Sequence, residues 1–223
     1  MENEYYMLQY KPSHKSETGK TTGSFGALQF KNEEIEELLC EPLTENTPIS
    51  ITDVVEFSFD LGWGHGATLG DFHENPHYDI MVFSSRIIGM LQAMNIPDVQ
   101  YIPARIYRHK PKDTFSDDYY ILHILKRIDC FDKEKSIWKA GYGGEGVGII
   151  DSLVLDSKVL ETIPINERLI FQLDENPHRI LFHKSIAEEI NGLNPKGVYF
   201  YDLATWRTGT FYLHGFGPQF KYK

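Results

Sequence analysis

Apolar and polar positions alternate or cluster along this chain in short blocks, and the blocks predict more strand than helix. Tyr5-Tyr6-Met7-Leu8-Gln9-Tyr10 reads as an aromatic strand, followed by a polar stretch from Lys11 to Ser24 that carries no periodicity and reads as a loop. Asn32 can cap a short helix in which Ile35, Leu38 and Leu39 share a face, Glu33 and Glu37 point away from it, and Pro42 ends it. A strand over Val54 to Asp60 and a glycine-rich turn region from Leu61 to Gly70 come next. Further strands are expected over Val99 to Tyr107, Tyr119 to Ile128, Ile150 to Leu155 and Leu169 to Leu173, with a loop from Trp138 to Gly148.

The pattern also repeats. Met81-Val82-Phe83 through Val99-Gln100-Tyr101-Ile102 aligns without a gap on Ile180-Leu181-Phe182 through Val198-Tyr199-Phe200-Tyr201, setting Phe83 on Phe182, Ile87 on Ile186, Leu91 on Ile190 and Asn95 on Asn194. Each copy reads as a buried strand, a helix, a turn at Asn and a second strand. The approach recurs as well, as Glu74-Asn75-Pro76-His77 and Glu175-Asn176-Pro177-His178. The expected fold is a mixed, strand-rich α+β domain over residues 1–223, built on two related strand–helix–strand modules at 80–106 and 179–205. Residues shared by both copies serve folding, so a functional residue is better sought among those unique to one copy.

Composition changes the picture in two ways. The 22 Lys and Arg stand against 32 Asp and Glu, a formal charge of −10 that disfavours a phosphate backbone and suits a basic protein partner. The start of the chain resembles no secretory leader, no window is long and apolar enough for a membrane span, and the two cysteines, Cys40 and Cys130, lie in apolar contexts. A cytoplasmic location without membrane association is therefore expected.

Several strings look chemical. His73-Glu74-Asn75-Pro76-His77 spells H-E-x-x-H, whose zinc chemistry needs both histidines on one face of a helix with the glutamate beside the bound water. Pro76 opposes that helix, and the second copy replaces the first histidine with Asp174, so Glu-Asn-Pro-His reads as a turn element. A metal-assisted hydrolase using His73 and His77 with Asp71 or Asp79 is the alternative function. Gly19-Lys20-Thr21 lacks the first glycine of a phosphate loop, and Glu145 within Gly141-Tyr142-Gly143-Gly144-Glu145-Gly146 would repel phosphate, which leaves that segment as a flexible binding loop. No nucleophile elbow is present, and the expectation is a chain with no catalytic residue, metal or cofactor.

The segment from Asp117 to Ser136 stands apart: an aromatic and aliphatic strand, then a charged turn in which Asp129 and Asp132 can accept backbone amides and Ser136 can close the turn. A tyrosine-initiated strand running into Ile128-Asp129-Cys130-Phe131-Asp132, with Ser136 four residues on, resembles an element of bacterial immunity protein family eleven. The order of the other elements from about Tyr5 to Leu203 is similar too, although His123-Ile124-Leu125 stands where that family often shows Asn-Val-Leu. The resemblance implies a non-enzymatic antidote that binds a cognate toxin at its active site or an adjacent exosite. Joined to the acidic charge, it makes a nuclease with a basic cleft the expected partner. No binding residue is implied by the resemblance. Exposure arguments select Glu33 and Glu37, Asp117 and Asp118, and Tyr142 with Glu145 as partner-binding candidates.

Overall fold

The computed structural model describes residues 4–10, 28–51, 53–59, 69–75, 80–108 and 115–207. In chain order the elements are β1 (Tyr5–Tyr10), β2 (Leu28–Phe30), α1 (Glu33–Glu45), β3 (Val55–Phe59), β4 (Phe72–Asn75), β5 (Ile80–Ser84), α2 (Ser85–Ala93), β6 (Val99–Arg108) and β7 (Phe115–Ile124). They continue with β8 (Arg127–Ile128), β9 (Ile137–Ala140), β10 (Val147–Ser152), α3 (Ser157–Glu161), β11 (Ile170–Leu173), β12 (Asn176–His183), α4 (Lys184–Gly192) and β13 (Val198–Asp202). The fold is α+β and strand-rich. The chain divides into two units, one holding the described residues of 4–9, 126–188 and 199–207, the other those of 10–125 and 189–198. The expected loop at 11–24 lies outside the described residues, as do residues 61–68 of the glycine-rich turn region.

The unit of residues 10–125 is built on a six-stranded sheet in the order β2-β3-β6-β7-β5-β4. Its strands pair antiparallel except for β3 and β6, which run parallel. Alternation along β6 sends Ile102, Ala104 and Ile106 to one face, where they pack with Val55, Phe57, Tyr119, Ile121 and, from α1, Leu39. Asn32 caps α1 as expected, its Oδ1 accepting the Glu34 N–H at 2.9 Å. Two details of the expected helix are corrected. Leu38 does not join the inner face and is 62 % exposed, because Ile35 and Leu39 already span the narrow stripe that meets the sheet. Pro42 does not end the helix, which runs on to Glu45 and closes at Asn46, a left-handed residue (φ 58°) whose N–H donates to the Pro42 carbonyl. The ring costs only the bond to the Leu38 carbonyl, and that residue stands on the solvent side, where water can replace it.

The other unit has a five-stranded sheet in the order β13-β1-β12-β11-β8 and a separate two-stranded sheet of β9 and β10. Its core gathers Tyr5, Met7, Ile128, Ile150, Leu153, Phe171, Leu181, Leu203 and Trp206. The hairpin corrects the expected loop at 138–148. Trp138 to Ala140 pair with Val147 to Ile150, and only the glycine-rich centre turns. The strand expected from Tyr119 to Ile128 is likewise divided: β7 stops at Ile124, and Arg127–Ile128 pair with β11 in a different sheet.

Both repeated spans fold as strand, helix, strand. Phe83 and Phe182 are fully buried, as are Ile87 and Ile186, and Leu91 and Ile190. The turn repeats in its dihedrals: Asn95 has φ 50° and Asn194 φ 51°, while Asp98 has φ 56° and Gly197 φ 84°. Each module is preceded by a hairpin strand, β4 against β5 and β11 against β12. The shared Glu-Asn-Pro-His string, however, does not occupy one place in both. Glu74 and Asn75 end β4, whereas Glu175 sits in the turn and Asn176 opens β12. Pro76 and His77 lie outside the described residues.

Candidate partner-binding surfaces

The chemistry of H-E-x-x-H fails on its backbone. His73 and Glu74 are neighbours in β4, so their side chains leave opposite faces of the sheet and no helical turn stacks the histidines. His73 is 1 % exposed and packs edge-on against Tyr119 at 5.6 Å between ring centroids. Its Nε2 accepts the Gly70 N–H at 3.1 Å, and burial pulls its pKa down to about 4. Asp71, the other residue of that reading within the described set, is a structural clasp. It takes Arg86 at 2.7 Å, the Ser84 hydroxyl at 2.8 Å and the Lys196 N–H at 2.7 Å. Burial pushes its carboxyl up, and these bonds together outweigh that and leave it below the usual range. His77 and Asp79 lie outside the described residues, among which no three His, Cys, Asp or Glu side chains are grouped to hold a metal.

The α1 helix presents the most distinctive surface. Glu33, Glu37, Glu41 and Glu45 are all exposed and stand four residues apart, with Glu34 and the exposed Leu38 in the adjacent row. Glu33, Glu34 and Glu36 lie in the first turn, where carboxylates complement the positive end of the helix. The same account does not cover Glu37, Glu41 and Glu45. Each successive pair in that row is a like-charge contact that costs a helix about 0.2–0.5 kcal/mol, and the helix contains no Lys or Arg to offset it. Glu33 and Glu37 thus belong to a longer acidic row flanked by an exposed apolar side chain. The spacing of Glu41 and Glu45 was readable in the sequence, but Leu38, three residues from Ile35, passes for a core position.

Asp117 and Asp118 sit at a β-bulge. Ala104 opposes Tyr119 and Ile106 opposes Ser116, so Arg105 alone faces both aspartates. The bulge turns Asp117 onto Arg105, which bonds it and also reaches Glu56 at 3.3 Å; Glu56 in turn accepts the Tyr107 hydroxyl at 2.8 Å and meets Lys31 at 3.7 Å. That network lies on the sheet face opposite α1, since Ile102, Ala104 and Ile106 point the other way. Asp117 is therefore matched within the protein, while the Asp118 carboxylate is exposed and meets no cation among the described residues. The structure does not place this pair beside Glu33 and Glu37.

The glycine loop is shaped by its backbone. Gly143, Gly144 and Gly146 have φ of 81°, 84° and 62°, and a Cβ on Gly148 would stand 2.7 Å from the Gly141 Cα. The Gly141 N–H closes it onto the Glu145 carbonyl at 3.1 Å. This is a tightly wound hairpin turn, and its glycines are there for geometry rather than for looseness. Glu145 is exposed at its tip; the Tyr142 side chain lies outside what is described.

In the charged turn after β8, Asp132 and Ser136 behave as their residues suggest. Asp132 accepts the Glu134 and Lys135 amides at 3.2 and 3.0 Å and meets Lys135 Nζ at 2.6 Å. Ser136 Oγ accepts the Val154 N–H at 2.9 Å and donates to its carbonyl at 3.2 Å. Asp129 instead sits beside Glu175, whose Oε1 accepts the Phe131 N–H at 2.9 Å; burial, then the Asp129 contact, raises the Glu175 pKa. Asp132 and Ser136 thus anchor the turn, whereas the backbone amide expected at Asp129 is held by Glu175 instead. A model of the Immunity protein family (Imm11) matches residues 4–205, through both units and across this turn. The chain belongs to the Imm11 family. Immunity families are generally non-catalytic. A search of curated proteins returned no match. No helix among the described residues is long and apolar enough to cross a membrane.

Proposed function

We propose that this chain is a non-catalytic antidote that binds a cognate bacterial toxin and blocks its active site or an adjacent exosite. The Imm11 match supports the immunity function itself. The observation that carries the binding mode is the outward face of α1, where four exposed glutamates at four-residue spacing run beside the 62 % exposed Leu38. A row of like charges that folding does not require is relieved when a basic surface covers it, and an apolar side chain beside it supplies area that desolvates on contact. A toxin acting on nucleic acid offers such a surface, because its substrate cleft must be basic. The overall charge of −10 adds long-range attraction to the same partner.

The test is co-expression with the product of the adjacent gene, scored by growth and by co-purification. Growth rescue with a stable complex is the expected result; a harmless neighbour that does not co-purify overturns the reading. Glu37→Lys and Leu38→Asp should each weaken the complex at least about tenfold while leaving the fold intact, since both side chains are exposed. Association should slow steeply with added salt. A rate that is flat from low to high ionic strength would remove the electrostatic part of the proposal.

A further inference from the structure

In the unit built on β1 and β8 to β13, a cleft of about 530 Å³ opens beside α3, within the range of roughly 300–1,000 Å³ typical of ligand sites. Its floor is apolar: Leu153, Leu160 and Leu203 line it and belong to the core, and Leu155 and Val154 extend it toward solvent. Its rim is charged, with Glu4, Glu161 and Asp202 against Lys135 and Arg168. Both cations are already engaged. Lys135 is paired with Asp132 at 2.6 Å, and Arg168 meets Glu4 at 3.5 Å while donating to the Tyr5 hydroxyl at 2.6 Å and to the Ile163 carbonyl at 3.0 Å. Glu161 is exposed and meets no cation among the described residues. The mouth of the cleft is therefore electronegative over an apolar floor.

We infer that this cleft is a second docking point, which receives an apolar side chain immediately followed by a basic one from the partner protein. The apolar group fills the space above Leu160 and Leu203, and the cation settles against Glu161. A free carboxylate or a phosphate is a poorer fit, because it would compete with Asp132 for Lys135 and with Glu4 and Tyr5 for Arg168 while facing Glu161 at the mouth. The inference rests on the antidote reading for the identity of the partner, but the chemistry it claims for the cleft can be tested without any toxin.

The probe is the capped dipeptide acetyl-Leu-Arg-amide, titrated into the full chain and followed by amide shifts in 15N NMR spectra. Saturable shifts confined to Leu155, Glu161, Ala204 and their neighbours are expected. Acetyl-Gly-Arg-amide should bind about tenfold more weakly for want of the buried side chain, and acetyl-Leu-Glu-amide about threefold to fivefold more weakly for want of the exposed ion pair. Glu161→Lys should reverse the second preference. Ala204→Trp, at an exposed rim position, should abolish the shifts while leaving the remaining spectrum in place. Shifts scattered over the surface, or equal affinity for the Arg and Glu peptides, would overturn the proposal. Because this titration contains only the chain and the peptide, its failure leaves the co-expression assay to judge the antidote function separately.

Discussion

The two strand–helix–strand modules use matching residues but are completed from different parts of the chain. In the first, β5 and β6 both pair antiparallel with β7, which follows directly along the chain. In the second, the place between β12 and β13 is taken by β1, so Tyr5 pairs with His183. We read the two as copies of one module, in which the buried pairs Phe83 and Phe182, Ile87 and Ile186, and the left-handed Asn95 and Asn194 answer to folding alone. What differs is at the start of each helix. At the first copy Asp71 pairs with Arg86 and also accepts the Lys196 amide from the turn of the second, whereas in the second His183 Nδ1 accepts the Ser185 N–H at 3.2 Å at the start of α4. Closing the second copy also requires a much longer loop of chain, a larger entropic cost met by the same set of contacts.

The strongest test of equivalence is to empty the shared core position. Phe83→Ala and Phe182→Ala should each cost about 3–5 kcal/mol in urea denaturation, since both side chains are fully buried. A cost below about 1 kcal/mol at either site would break the comparison, because a true core position cannot lose that much volume so cheaply.

A second test exchanges residues between copies. By cross-strand pairing, His73 opposite Val82 corresponds to Phe171 opposite Leu181. The folded pKa of His73 is depressed by burial to about 4 from 6.5, so its contribution to stability is intact above pH 6.5 and is lost as pH falls toward 4. That 2.5-unit difference corresponds to a loss on the order of 3 kcal/mol by pH 4. His73→Phe should match the parent at pH 7 to within about 1 kcal/mol, the Gly70 N–H having lost its acceptor, and should remove this part of the acid sensitivity. Parallel stability curves for parent and variant between pH 7 and 4 would show that His73 is not held neutral.

Asp71→Asn addresses what is unique to the first copy. It weakens bonds to Arg86, Ser84 and the Lys196 amide together and should cost about 1–3 kcal/mol at pH 7. Because the Asp71 pKa is lowered, the difference should shrink as pH falls through that depressed value. A neutral substitution would mean that the clasp does not stabilise the module.

Much of the fold was legible because it rests on periodicity. The apolar spacing over 81–102 and 180–201 announced strand, helix and strand in each span, and Asn32 announced α1. The misses came from geometry that periodicity does not encode. Leu38 obeys helical spacing but falls outside the width of the sheet it would pack on, and Pro42 sits where a lost bond is easily replaced by water. At 138–148 the density of glycine concealed two strands, although those glycines mark the positive-φ positions of a hairpin turn. Of the candidate surface, the acidity of α1 could be read directly. That Asp117 is bound by Arg105 depended on a bulge, which no local pattern reveals.

The smallest effect concerns the string common to both approaches. In the second copy Glu175 holds the Phe131 amide and sits beside Asp129, while the Asn176 amide group donates to the Val147 and Gly148 carbonyls at 3.3 and 3.0 Å. Burial, and then Asp129, raise the Glu175 pKa, so its favourable contribution is complete below the ordinary carboxylate range and is lost as pH rises through the elevated value. Glu175→Gln keeps the oxygen that accepts from Phe131 and removes the charge. It should therefore raise Tm at pH 7 by about 1–2 °C, the gain expected from a partly exposed charge change, and the gain should vanish near pH 4. A loss of Tm at pH 7 would mean that the carboxylate itself is required in this turn, and the Glu-Asn-Pro-His string would then have to be counted among the features unique to the second copy.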